Sequence, residues 1–156
     1  MTCKEELLAS FDEAWSDAWE SLESVTKNLT EEEALYQHPS YSDVPLEEGH
    51  PPSGTVLWHL VHLAHCYRHY CNVIRERPAQ PADPPVPEAH SVQEALDNLR
   101  HYRLELRNTI AALTEEELED KLYHEKSIAK FARAIVRHDA WHGGQIAVAR
   151  RLFRSR

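Results

Sequence analysis

Residues 127–153 set the strongest limit on how this chain can fold. Wound as a helix at about 100° per residue, they place Ile128, Phe131, Ile135, Ile146, Ala149 and Phe153 on one stripe, with Arg133, Arg151 and Arg154 opposite. So long an apolar stripe needs other helices to cover it. His138 and His142 lie on its centre line, one turn apart, and Gln145 lies just beside it. An unpaired imidazole on such a seam costs roughly 1–3 kcal/mol. Two arrangements satisfy the pair: hydrogen bonds across a bundle, or one metal ion shared by histidines at i and i+4.

Three more long helical periods accompany it. The first covers about Lys4 to Leu29, with Leu7, Leu8, Phe11, Trp15, Trp19 and Leu22 at three- and four-residue spacing. The second starts after Pro51-Pro52, with Ser53 at the N-cap position, and runs to about Arg75. The third runs from about Val92, capped by Ser91, to Leu113. Between the second and third, Arg77 to Ala89 holds five prolines and must be an extended crossover. Nothing alternates as a strand would, and four glycines speak against a β-rich fold. The expectation is an all-α chain: a single domain over residues 1–156, folded as a four-helix bundle with its long crossover between helices 2 and 3. A short repeat agrees. Leu29-Thr-Glu-Glu-Glu33 and Leu113-Thr-Glu-Glu-Glu117 each follow a long helix, and Thr30 and Thr114 are placed to cap short extra helices.

Charge and cysteine usage narrow the function. A net charge of −9 argues against nucleic acid or an anionic membrane as a main partner; the expected partner is a small-molecule substrate. The basic cluster Arg150, Arg151, Arg154 and Arg156 reads as favourable charge at a helix C-terminus. No signal peptide is recognisable, and no apolar run approaches the ~20 residues of a membrane span. Cys3, Cys66 and Cys71 are odd in number and form no CxxC pair, which fits a reduced cytoplasm.

The second helical segment is crowded with ligand-type side chains: His59, His62, His65, Cys66 and His69. Its clearest apolar stripe is Val56, Leu60, Leu63, Tyr67, Tyr70 and Ile74. On an ideal wheel His59 and Cys66 flank that stripe, whereas His62 and His69 lie almost opposite. Spacing alone therefore prefers His59 or Cys66 as a third ligand. A helix packed on several sides would lift the preference, and Trp58 with Val61 points to apolar neighbours there too.

Trp58-His-Leu-Val-His62-Leu-Ala64 and His138-Asp-Ala-Trp-His142-Gly-Gly-Gln145-Ile146 resemble the two signature segments of the DinB-like superfamily of bacterial four-helix-bundle metalloproteins. The helix order and the crossover agree over nearly the whole chain. The resemblance implies a DinB-like fold and a divalent ion, commonly zinc or nickel, held by one histidine of the second helix and two of the fourth. Matched onto this sequence, the ligands are His62, His138 and His142, with His59 in reserve. It also implies a homodimer, and tryptophans and histidines on both sides of the second helix hint at a second buried surface. Proteins of this kind include transferases that join a low-molecular-weight thiol (bacillithiol, mycothiol or glutathione) to an electrophile, maleylpyruvate isomerases and metal-dependent hydrolases.

Three neutral imidazoles leave a divalent ion with open positions, where a water is acidified toward a pKa of about 7 or a thiolate is held. The leading expectation is a metal-dependent thiol S-transferase or related hydrolase, with a low-molecular-weight thiol as co-substrate. Gln145 and Cys66 are the candidate catalytic residues. Gln145 could bond a ligand or cap a neighbouring helix; Cys66 could face the site, although a free helical cysteine is more often a small buried hydrophobe. Asp139 and His65 could orient ligand histidines but read more readily as solvated surface positions. Gly143-Gly144 costs roughly 1 kcal/mol per glycine within a helix and suggests a close backbone approach. The crossover and the loop from Pro39 to Pro52 are expected to shape the pocket mouth. Two other classes stay open: a non-catalytic metal-binding stress-response bundle whose ion staples the helices, and a helical interaction module that binds no metal.

Overall fold

Capping side chains mark where each helix begins in the computed structural model, which describes residues 2–18 and 21–156. Thr2 opens α1 (Cys3–Ser16) with a reciprocal pair: its hydroxyl accepts from Glu5 N, and the Glu5 carboxylate accepts from Thr2 N at 2.7 Å. The first helix is shorter than its periodicity predicts. It stops at Ser16, and Ser21 caps a separate α2 (Leu22–Thr26). The Ser21 hydroxyl donates to Asp17 O at 2.6 Å and accepts from Ser24 N at 3.1 Å, a local arrangement that competes with the helical ladder. Trp19, part of the expected stripe, lies outside the described residues. Thr30 caps α3 (Glu31–Leu35) with the expected Thr–Glu box.

Thr55, not Ser53, caps α4 (Val56–Arg75), accepting from Trp58 N at 3.0 Å; Ser53 is buried in the turn before it. Ser91 caps α5 (Val92–Ala111), and Ser127 caps α6 (Ile128–Arg154). Thr114 forms the same reciprocal pair with Glu117, at 2.8 and 3.2 Å, but only a 3-10 turn, Glu117–Glu119, follows. No strand occurs among the described residues; Lys121 and Ser127 make one isolated antiparallel bridge. None of the described helices is long and apolar enough to cross a membrane.

Side-chain pairs between the long helices give the topology. Arg103 beside Tyr67, Thr109 beside Cys71 and Arg75 bonded to Glu105 make α4 and α5 parallel. His59 against His142 and Tyr70 against Phe131 make α4 and α6 antiparallel. Lys4 bonded to Leu113 O and Asp12 to Arg107 make α1 antiparallel to α5. The bundle therefore runs up, down, down, up. Two parallel neighbours cannot be joined by a tight turn. A 20-residue α4 is about 30 Å long, and the extended stretch from Arg77 to Ala89 supplies the return at roughly 3.3 Å per residue. The crossover is fastened to the helices it passes: His65 donates to Pro84 O at 2.8 Å, Arg68 to Pro85 O at 2.8 Å, and Asn98 to Glu88 O at 2.9 Å.

The core sits around α4. Leu60, Leu63, Tyr67 and Ile74 are fully buried, but so are Val56 and Ala64, with Leu57, Val61 and Val73 nearly so. At the other end of the bundle the C-terminal arginines do more than complement a helix end. Arg150 donates to Val25 O at 2.6 Å and to the buried Glu33 carboxylate at 2.9 Å, and Arg154 reaches the second Glu33 oxygen at 2.7 Å. Glu33, the third glutamate of the first Leu-Thr-Glu repeat, thus locks α3 onto α6.

Candidate metal centre

α4 is enclosed on several sides, so a histidine opposite its main apolar stripe still faces protein. His62 is such a residue: its ring stacks on Trp58, one turn earlier, at 4.6 Å between centroids and 10° between planes. Across from it α6 presents His138 and His142, whose Nε2 atoms are 3.0 Å apart. One ligand nitrogen from each of His62, His138 and His142 lies within 4.8 Å of the other two. His59 lies on the far side of His142, with the two Nδ1 atoms 2.8 Å apart. The wheel prefers His59 or Cys66, but the two histidines of α4 take different places. His62 joins the α6 pair, and His59 backs one member of it.

Burial keeps these rings neutral. His142 is fully inaccessible to solvent, and desolvation, reinforced by the neighbouring imidazoles, lowers it to about 2. Desolvation brings His59 and His62 to about 4 and lowers His138 too, against the opposing pull of Asp139. Neutral imidazole is the form that offers a lone pair to a metal ion. The hydrogen bonds couple the tautomers of neighbouring rings. If His142 turns its Nε2 lone pair toward His138 and His62, its Nδ1 carries the proton and donates to His59, whose own proton then sits on Nε2.

Asp139 is not the solvated residue its sequence position suggests. It is fully buried, accepts from the Tyr67 hydroxyl at 2.7 Å, and pairs with Arg103, itself 4% exposed. Burial raises its carboxyl, against the pull of Arg103 and Tyr67. Arg103 also donates to Phe11 O and lies over the Phe11 ring at 4.0 Å. One network thereby ties α1, α4, α5 and α6 together at the residue next to His138.

The candidate catalytic residues lie on two sides of the cluster. Cys66 Sγ is 3.5 Å from His62 Nε2, and burial pushes its thiol up to about 11. Gln145 lines a small cleft with His59, Tyr36 and Tyr41. Gly54, at φ +79°, forms part of the same cleft and gives the Tyr41 ring its room, since a Cβ there would collide with it. The close approach expected at the glycine pair is not found at Gly144, where an added Cβ would meet nothing within 4 Å. His65 is half-buried and holds the crossover rather than a ligand histidine. One residue escapes sequence reasoning altogether. His50, from the loop before α4, brings its ring to 6.0 Å from His62 and 5.7 Å from His65.

A family model described as the DinB superfamily matches residues 14–146, most of the chain. The chain belongs to the DinB superfamily. No curated protein and no solved structure matches it.

The donor set of this DinB-superfamily chain suits a divalent ion. Two nitrogens bound to one ion at roughly 2.0–2.1 Å sit about 3 Å apart, close to the 3.0 Å between the His138 and His142 Nε2 atoms. Imidazole suits zinc, nickel, copper and iron alike. With three protein ligands such an ion keeps open positions, unlike a closed structural site.

Proposed function

We propose that this DinB-superfamily protein is a metal-dependent enzyme that joins a low-molecular-weight thiol to an electrophilic small molecule. In this reading His62, His138 and His142 hold a divalent ion, zinc or nickel. The observation that carries it is the cluster itself: three imidazoles, His142 buried and the other two half-buried, with ligand nitrogens within 4.8 Å of one another. When bound, the ion supplies Lewis acidity that lowers the pKa of a thiol toward neutrality.

The chain's own groups support that role. With the His142 Nε2 lone pair turned to the ion, His142 Nδ1 donates to His59, which fixes the ring. Trp58 covers His62 and excludes water from one face of it. Asp139, the carboxylate beside His138 in sequence, is committed to Arg103 and Tyr67 and is not free to serve as a general base. Burial pushes the Cys66 thiol up in the metal-free protein, and in this reading the reacting sulfur belongs to the co-substrate. Gln145 and Tyr41 line the cleft beside His59, behind His142, and in this reading they act on the site through those two rings. A reduced cytoplasm and a homodimer complete the proposal.

The test loads untagged protein with zinc or nickel, measures stoichiometry by mass spectrometry, and assays conjugation of each thiol to a fluorogenic electrophile. Expected are about one ion per chain, conjugation dependent on it, and loss of both in His62→Ala and His142→Ala. One tightly held ion without any conjugation would refute the enzyme and favour a metal that staples the bundle.

A further inference from the structure

The loop before α4 carries a second set of donors that the metal reading above does not use. Glu47, His50 and His62 each offer a ligand atom within 4.8 Å of the other two. We propose that these three residues form an outer cation site through which the ion reaches His138 and His142. The proposal rests on the metal centre and adds a route into it.

The loop holds His50 in a form ready to bind. His50 N donates to Glu47 O at 3.0 Å, closing a turn through Gly49, whose φ is +76°. A Cβ on Gly49 would lie 3.2 Å from Val86, so this turn packs directly on the crossover. The His50 side chain is only 7% exposed. Its Nδ1 lies 3.3 Å from Glu48 O and 3.8 Å from a Glu47 carboxylate oxygen, both acceptors, so Nδ1 carries the proton and Glu47 must turn toward the Nε2 side to share an ion with it. The lone pair is then on Nε2, which is buried and has no hydrogen-bond partner among the described residues. An unpartnered buried acceptor of this kind is costly unless something occupies it, and a cation fits a lone pair.

Access orders the two sites. Glu47 is 53% exposed and carries the charge that a hydrated cation meets first, whereas His142 is fully buried. Clefts of one charge sign raise the local concentration and on-rate of a counter-ion. His62 belongs to both sets of donors. A neutral imidazole has one lone pair, so His62 serves one ion at a time. The outer position is therefore a stage of transfer: water ligands are exchanged for Glu47, His50 and His62, and then Glu47 and His50 for His138 and His142.

The experiment follows Co2+ uptake by metal-free, full-length protein in stopped flow, using the visible absorption of the bound ion. Glu47→Gln and His50→Ala are each expected to slow uptake about tenfold, with the wild-type stoichiometry and dissociation constant kept. Because the equilibrium constant is unchanged, release to a chelator must slow by the same factor. Wild-type uptake is expected to fall with added salt more steeply than that of Glu47→Gln. Uptake at the wild-type rate in both variants overturns the proposal. So does loss of the bound ion from His50→Ala at equilibrium, which would make His50 a ligand of the inner site. Glu47 is exposed, so Glu47→Gln decides the matter if His50→Ala fails to fold by circular dichroism. No uptake by the wild type would instead refute the metal centre itself.

Discussion

Replacing Asp139 by asparagine removes one charge from the middle of the bundle and leaves the shape intact. The amide oxygen of Asp139→Asn would still accept from the Tyr67 hydroxyl, which lies 2.7 Å from the native carboxylate. The Arg103 guanidinium, however, would stay 4% exposed with its counter-charge gone, held only by Phe11 O, Tyr67 and the rings around it. Breaking one side of a buried ion pair costs about 3–5 kcal/mol. A domain of this size holds about 5–15 kcal/mol in total and loses about 2–4 °C of Tm per kcal/mol, so the melting point should fall by about 6–20 °C. Urea titration and calorimetry of the metal-free protein measure both quantities. The rest of the cycle is Arg103→Met alone and Asp139→Asn with Arg103→Met, which removes the stranded cation. The double variant should be more stable than Asp139→Asn alone, with a coupling of about 2 kcal/mol or more. A single-variant cost under about 1 kcal/mol, or strictly additive effects, would show that the pair does not hold the four helices together.

Three further perturbations probe other parts of the reasoning. Metal-free protein should lose stability as the pH falls from about 6.5 toward 4. An unfolded histidine takes up a proton near 6.5, whereas folded His59 and His62 refuse it until about 4. At pH 5 His59 alone should account for about 2 kcal/mol, and His59→Gln should flatten the dependence of Tm on pH; an unchanged slope would contradict its burial as a neutral ring. Glu33→Gln leaves Arg150 without its carboxylate and should lower stability by about 2 kcal/mol in a urea titration, with Thr30→Ala costing about 1 kcal/mol through loss of the cap. Gly54→Ala should cost more than the about 1 kcal/mol of a left-handed alanine, since its Cβ would displace Tyr41; a thermal shift near zero would mean that the cleft wall yields freely.

The long helices are legible because each carries both signals at once, an apolar period and a serine or threonine before it. The first one misleads. Trp15, Trp19 and Leu22 continue its spacing, but Ser21 binds Asp17 O and Ser24 N and starts a new helix. His138 and His142 stand out because they interrupt an apolar seam. His62 does not, because a wheel assumes one buried face, and α4 is buried on several; Val61 and Ala64 are as inaccessible as Leu60 to within a few percent. Asp139 reads as surface because its partners, Arg103 and Tyr67, are distant in sequence and neither follows a spacing rule. His50 has no signal at all. Its place depends on a turn through Gly49 that packs on Val86, a contact between two irregular segments that no periodicity encodes.

The up, down, down, up course of the bundle has a mechanical consequence. α1 and α6 run in the same direction, with Cys3 near Arg133 and, further along both, Phe11 joined through Arg103 to Asp139. The chain's two ends therefore leave from opposite poles of α6. Tension applied between them would load the α1–α6 seam in shear along its length, not peel it open one turn at a time. All the contacts of that seam would have to slide together before any one helix came free.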